Sequence, residues 1–401
     1  MRALLESPGD ELELEVRRSC PEWRARAGQD EASPLIVPTK PDDLAPHYDL
    51  TISHPAVDQP SLAAFERWLA EAAARRGLSC AVLHDGVVHE AIRRLEEGRL
   101  SVYFHFDYFA MWHIPGDPYA RLAHAVEDAG GRPVNRPARS RLFTDKSAAH
   151  AELLRYGLGV PETVLFRPWS ADRPLTGAER RRLGLDEPGT RVYLKPANGF
   201  ATRGVVRVEG TDPARLCAAL TAARDYDRND ALLLQREVRC PALMCDDGTA
   251  RPAYWRVLYC LRDVIPFWWS KAEAEQGRPS YRRVTAAESR RHGLGPVLAF
   301  TEALADLSGL DWFSTEVCLS EGSEASRYKV WTTAAGGEGR EWPVVAIDYV
   351  NDQCDMHVQS RWLGAPPDNV VRYIAERFAD AAALEARRFI VPEPPWPLRA
   401  A

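Results

Sequence analysis

The chain has 401 residues, 45% hydrophobic and 27% charged, with 51 Lys and Arg against 57 Asp and Glu for a formal net charge of −6. That length exceeds one ordinary core and implies two or three domains, and the mildly acidic balance argues against a nucleic-acid partner. No apolar run approaches the roughly 20 residues of a membrane span, and residues 1–16 lack the basic-then-apolar order of a secretory signal.

The first 45 residues carry little periodicity; residues 11–16 alternate as a strand would, and Pro34, Pro38, Pro41 and Pro46 mark an extended connector. Residues 48–53 then form a short β-type run. Ser61 caps a helix through Phe65, Trp68 and Leu69 to Arg76, closed by Gly77. Residues 78–83 are an apolar strand, and 85–97 a helix with Val88, Ala91, Ile92 and Leu95 on one face. A β-branched and aromatic strand over 101–108, a helix from Asp117 to Gly130 and a short strand over 132–135 follow. Such alternation signals a parallel sheet with helices on its faces. Ligands of open sheets gather at the carboxyl ends of strands, where His84, Asp107 and Asn135 fall.

Beyond residue 140 the pattern changes. A helix over 145–156 ends at Gly157, and strands follow at 164–167, 192–196, 205–209 and 232–238. Between them lie a polar, Arg-rich helix with loops over 169–188 and a helix over 213–224. Residues 254–262 and 264–269 pair as a hairpin, and 297–307 is a helix. Residues 312–319, 327–333 and 344–350 read as strands of an antiparallel sheet, and 368–388 as a closing amphipathic helix before a proline-rich tail. The eight cysteines are scattered without a CxxC pair, as expected of thiols in a reducing, cytoplasmic setting. Cys240 and Cys245 have no second pair at zinc-ligand spacing and read as structural.

Four segments carry the chemistry. Tyr193-Leu194-Lys195-Pro196-Ala197-Asn198-Gly199 continues through Phe200-Ala201-Thr202-Arg203-Gly204-Val205: a strand delivers a lysine into a small-residue loop. Glycines let backbone N–H groups approach a phosphate, and the lysine adds a point charge. No GxxxxGK[ST] is present, so this is not a Walker A loop. Upstream, Thr144-Asp145-Lys146 puts a lysine in a first helical turn, where the dipole favours anions, which points it toward a ligand. Leu232-Leu233-Leu234-Gln235-Arg236-Glu237-Val238 is an apolar strand that turns polar at its end. Lastly, Glu316 and Asp348 sit inside apolar strand-like runs, the latter followed by Asn351 and Asp352. Buried carboxylates need a cation or hydrogen bonds, and Mg2+ is a natural partner.

In this order the segments resemble the ATP-grasp superfamily, including its carboxylate–amine ligases, over residues 132–388. The implied fold class is α/β, becoming α+β in the C-terminal part: an N-terminal parallel α/β domain followed by a two-lobed ATP-grasp fold. The implied organisation is an N-terminal extension (1–45), the preceding α/β domain (46–140), a central lobe with the phosphate loop (141–240), a C-terminal lobe with the metal site (241–390) and a loose tail (391–401). By the resemblance, Lys146 and Lys195 contact the ATP phosphates, and the loop from Asn198 and Gly199 to Arg203 and Gly204 covers them. Gln235, Arg236 and Glu237 match the hinge strand for adenine and ribose. Arg256 resembles the arginine that faces the reacting groups. Glu316, Asp348 and Asn351 match the ligands of Mg2+, with Mn2+ as the alternative ion. One departure stands out: Asp348 and Asn351 are three residues apart, and a regular strand would point them to opposite faces. A bulge, or a strand ending near Val350, would bring them together; otherwise Asp352 or Asp355 would take part.

The resemblance implies an ATP-dependent ligase that forms an amide from a carboxylate and an amine through an acyl phosphate. Catalysis would fall to Lys195 and Arg256, and the substrate would be a small molecule or a peptide. An ATP-grasp kinase and a nucleotide-binding protein with a decayed site are the alternatives. Arg203, Arg282 and Arg283 could neutralise an acidic substrate, Trp268, Trp269 and Tyr281 could line a pocket or pack a core, and His357 could shuttle a proton or serve structure alone.

Overall fold

The structure, a computed structural model, describes residues 34–55, 62–167, 173–187, 189–199, 204–209, 218–220 and 230–390. The strand expected at 11–16, the Ser61 cap, Arg203, most of the helix expected at 213–224 and the tail lie outside the described residues. The chain forms two units, one from residues up to 137 with 271–280 and 355 onward, the other from 138–270 and 281–354.

In the first unit, β1 (Leu35–Ile36), β2 (His47–Ser53), β3 (Cys80–Leu83), β4 (Ser101–Phe106) and β5 (Arg132–Val134) form a parallel sheet ordered β1-β3-β2-β4-β5. The expected connector before residue 46 therefore holds an edge strand, too short at two residues to leave a periodic signal. The helices Val88–Glu96 and Pro118–Asp128 contribute Ala91, Ile92, Leu95, Leu122 and Val126 to one core. Asp117 caps the second of these through Tyr119 and Ala120 N–H.

The helix Asp368–Ile390 departs from expectation. Its position in the sequence suggested the lobe of residues 241–390, yet it joins the first unit. Val371, Ile374, Ala375, Phe378 and Ala382 make a fully buried stripe at helical spacing. Phe378 meets the rings of Phe65, Phe104 and Phe106. Arg76 binds Glu376 at 2.9 Å and Asp380 at 2.7 Å, and Arg132 binds Glu385 at 2.8 Å. The aromatic face offered by the parallel sheet decides where the stripe is buried.

Among the described residues the second unit holds two larger antiparallel sheets and a two-stranded one. Of the larger two, the smaller is built from β6 (Thr163–Phe166), β7 (Arg191–Pro196), β8 (Val206–Glu209) and β9 (Leu232–Arg236) in the order β6-β9-β7-β8. After a hairpin of β10 (Ala242–Met244) and β11 (Ala250–Pro252) come β12 (Tyr254–Cys260), β13 (Asp263–Trp269), β14 (Tyr281–Arg283), β15 (Trp312–Leu319), β16 (Lys329–Thr333) and β17 (Gly339–Asn351). These last six form a sheet ordered β14-β13-β12-β15-β17-β16. Trp255, Trp268, Phe300, Phe313 and Val344 lie in its core, which Leu233 of β9 and Leu153 of the helix Lys146–Arg155 also join. Three-residue strands such as β10, β11 and β14 went unseen because two or three residues show no period.

Truncating Phe378 to Ala should destabilise the protein by about 3–5 kcal/mol, read as a lower denaturant midpoint at unchanged slope. A midpoint unchanged from wild type would mean that the helix Asp368–Ile390 does not depend on this contact.

Candidate active site

Strand alternation aims Lys195. Val192 and Leu194 turn into the cluster of Val164, Phe166, Leu232 and Leu234, so Tyr193 and Lys195 face the opposite way. The pairs Tyr193↔Gln235 and Lys195↔Leu233 put Gln235 on the face of Lys195 and, by alternation, Arg236 on the other. Arg236 there binds Glu187 at 3.0 Å, and its N–H donates to Glu162 O at 2.8 Å. Its side chain is therefore not part of the lysine face. The Tyr193 hydroxyl donates to Glu237 at 3.3 Å. Lys195 Nζ donates to Ile347 O at 3.0 Å. Burial lowers its pKa below the ordinary lysine value; Asp348 and Glu316 oppose that shift, and Lys146 adds to it.

Lys146 opens a helix capped by Asp145, which accepts from Ser147 N at 2.8 Å and Ala148 N at 3.1 Å. Its own N–H donates to Ala197 O at 2.9 Å and its Nζ to Gly199 O at 2.7 Å, while Nζ lies 3.9 Å from Asp348 Oδ1. The stem of the loop is held on a second side by Asp230, which accepts from Asn198 N at 2.7 Å and Nδ2 at 2.9 Å. Burial raises the Asp230 pKa, against the pull of the Asn198 bonds. Nothing in the sequence around Asp230 singles it out, since an Asp before a strand usually caps a turn. Gly204 resumes the chain at φ 70°, the left-handed region glycine favours.

The acidic residues share a row. Arg256 of β12 opposes Glu316 of β15, which opposes Asp348 of β17, and opposed residues project from the same face. Asn351 opposes Ser314, so two residues of β15 span three of β17. This is a β-bulge, and it returns Asn351 to the face of Asp348 despite the three-residue spacing. A second register shift follows between Glu316 and Val317, opposite Asp348 and Ala346; there Lys195 Nζ binds Ile347 O, and Thr315 Oγ1 donates to Asp348 O at 3.0 Å. Glu316 is bound by Arg256 at 3.3 Å and by the Tyr254 hydroxyl. Asn351 Oδ1 accepts from Gln353 N at 3.1 Å. Asp348 Oδ1 is buried without a hydrogen-bond partner among the described residues.

Arg256 also donates to the Tyr281 hydroxyl at 3.1 Å and lies 5.0 Å from the Trp269 ring centroid. Burial works against its charge, but Tyr281, Glu316 and Asp348 outweigh it and hold the pKa above the ordinary value. The aromatic trio thus divides: Trp268 meets Trp255 in the core, with ring centroids 5.2 Å apart and planes tilted by 46°, while Trp269 and Tyr281 flank Arg256. Arg282 is spent on the buried Glu288 and does not join Arg256; Arg283 is exposed. His84 and Asp107 are engaged locally, His84 with Pro38 O and Gly86 N, Asp107 with Ser53 Oγ and Ala110 N. His357 and Asp355 bond to each other in the first unit.

A hard cation takes oxygen ligands, and the unsatisfied Asp348 oxygen beside Glu316 and Asn351 fits that demand. No cluster of three or more His, Cys, Asp or Glu gathers among the described residues.

No family model matches the chain. It is 30% identical over 199 residues to a D-alanine–D-alanine ligase of Mycobacterium avium, covering 48% of this chain and 52% of that protein. A D-alanine–D-alanine ligase of Streptomyces griseus is 32% identical over 114 residues, 27% of this chain and 28% of that protein. The chain thus spans about half the length, or less, of the curated relatives it matches. Among solved structures, an ATP-grasp RimK domain protein from Sphaerobacter thermophilus aligns with TM-score 0.50 at 18% identity, covering 82% of this chain and 98% of that one. A D-alanine–D-alanine ligase from Bacillus anthracis, solved with ATP, aligns with TM-score 0.51 at 11% identity, covering 86% and 100%. The D-cycloserine synthetase DcsG aligns with TM-score 0.51 at 17% identity, covering 84% and 99%. With its parallel sheet, its two larger antiparallel sheets and these neighbours, the chain has the fold of the ATP-grasp superfamily.

Proposed function

We propose that the protein is an ATP- and Mg2+-dependent ligase that joins a carboxylate to an amine, releasing ADP and phosphate. The observation that carries this reading is the convergence of Lys146 and Lys195 on β17, where the bulge aligns Asp348 and Asn351 with Glu316 and Arg256. Lysines supply the charge that phosphates need, and the acidic row supplies oxygens for a metal.

In this reading Lys146 exchanges Gly199 O for a phosphate oxygen, and Lys195 holds a second phosphate. Glu316, Asp348 and Asn351 hold Mg2+, which when bound would neutralise charge on the phosphates during transfer. The substrate carboxylate attacks the γ-phosphorus, forming an O–P bond as ADP departs. Arg256 faces the transferred group and spreads its charge. The amine then attacks the acyl carbon, phosphate leaves and the nitrogen loses a proton. The loop between Asn198 and Gly204 would shield the acyl phosphate from water. The curated relatives are named for joining two D-alanines, so amino acids are the first substrates to try. None of the described cysteines is joined in a disulfide, in keeping with a cytoplasmic setting, and no described helix is long and apolar enough to cross a membrane.

A product-resolved assay with ATP, Mg2+ and pools of amino acids should give ADP, phosphate and a new amide mass. A phosphorylated metabolite without an amide would replace the ligase with a kinase. Lys195→Ala should cut turnover at least about a hundredfold while circular dichroism stays native; normal turnover would remove Lys195 from the site. Glu316→Gln should raise the Mg2+ concentration required for half-maximal rate, and an unchanged requirement would exclude it as a ligand. Because the Lys195 pKa is lowered, its charge is present below that value and lost as pH rises through it. ATP affinity should therefore decline on the alkaline side before an ordinary lysine titrates, a trend absent if Lys195 does not touch the nucleotide.

A further inference from the structure

Two side chains of β12 divide one carboxylate between them. Tyr254 and Arg256 project from the same face of that strand, opposite Cys318 and Glu316 of β15. The Tyr254 hydroxyl crosses diagonally to Glu316 Oε2, and Arg256 Nη2 lies 3.3 Å from Oε1. A carboxylate only accepts, so the phenol gives its single proton to Oε2. Glu316 is thereby held at both oxygens by one neighbouring strand.

The two holds differ in kind. Arg256 has further partners, since its Nη1 donates to the Tyr281 hydroxyl at 3.1 Å and its guanidinium lies 5.0 Å from the Trp269 ring centroid. Tyr254 is fixed as a ring: it stacks on Trp269 with centroids 5.8 Å apart and planes 27° apart, opposite the fully buried Cys318. A cation and Arg256 would repel each other across a shared oxygen, whereas a neutral phenol exerts no such repulsion. Oε1 is therefore the oxygen a cation would take. Arg256 falls back on Tyr281 and Trp269, and Oε2 stays with Tyr254.

We propose that Tyr254 holds Glu316 to a single ligand oxygen and thereby selects a small octahedral cation, Mg2+ or Mn2+, over Ca2+. The inference rests on the reading of Glu316 as a metal ligand, and it adds a residue that does not touch the metal. Ca2+ gathers more oxygens than Mg2+, at longer distances, and readily takes both oxygens of one carboxylate. Mg2+ keeps a tight octahedron that it shares with phosphates and water, for which one oxygen of Glu316 suffices. To offer both oxygens to one ion, Glu316 would turn away from Tyr254 and leave the hydroxyl proton without its acceptor. The stack on Trp269 keeps the phenol from following. Asp348 Oδ1 carries no hydrogen bond among the described residues, so the restriction falls on Glu316. Tyr254 is a positioning residue in this account.

The test reads metal binding without turnover. The full chain is loaded with Mn2+ and a non-hydrolysable ATP analogue, and bound Mn2+ is followed by electron paramagnetic resonance as Mg2+ or Ca2+ is added. In the wild type, Mg2+ should displace Mn2+ at a concentration at least about tenfold below that of Ca2+. Tyr254→Phe keeps the ring and its stack, and should bring the two concentrations together while circular dichroism stays native. A role in stability alone would lower the melting temperature of this variant and leave the preference where it was. That outcome would overturn the proposal, as would equal displacement by the two ions in the wild type. So would a Tyr254→Phe protein that weakens both ions alike, since the hydroxyl would then support the site without selecting its occupant. A wild type that binds no Mn2+ with the analogue would overturn the metal-site reading itself, and this inference with it.

Discussion

The pairing of β15 with β17 shifts register on both sides of the Glu316–Asp348 pair, and side chains bind the carbonyls there, Lys195 that of Ile347 and Thr315 that of Asp348. A buried carbonyl without a donor is costly, so the bulge persists only because side chains reach it. Lys195 comes from the smaller sheet, and its bond to Ile347 O ties that sheet to the larger one. One distortion therefore aligns the acidic row, places a lysine beside it and helps hold two sheets in register.

The charges around it are balanced in pairs. Lys146 stands 3.9 Å from Asp348, and Arg256 stands 3.3 Å from Glu316. Buried cations of this kind hold their form only when a carboxylate or a ligand anion is near. In the proposed reading, binding would exchange Gly199 O at Lys146 for a phosphate oxygen, a partner of like chemistry, with little reorganisation of the strands that carry the site.

Much of this was legible in the sequence. The strand–helix alternation before residue 136 and the lysine strand before the glycine loop are period and composition signals, and both appear in the structure. The carboxylates in apolar runs were legible for the same reason, because an acid amid valines and isoleucines needs a partner. The placement of Arg236 was not: that chain stretch is polar on both faces, and only the pairing with β7 decides which residue turns toward Lys195. Asp230 and Tyr254 were not legible either, since each acts through contacts with residues distant in the chain. The bulge was readable only as an alternative, because Asp348 and Asn351 at a spacing of three are equally compatible with two strand geometries.

The helix Asp368–Ile390 closes a sheet whose first strands lie more than three hundred residues earlier in the chain. Phe378 is the ring that this helix sets against Phe65, Phe104 and Phe106. During synthesis from the N-terminus, the parallel sheet must wait for residues 368–390, while residues 138–354 can complete their own contacts first. The contacts between this helix and the sheet close a loop of about three hundred residues, whose entropy cost falls on the first unit rather than on the second.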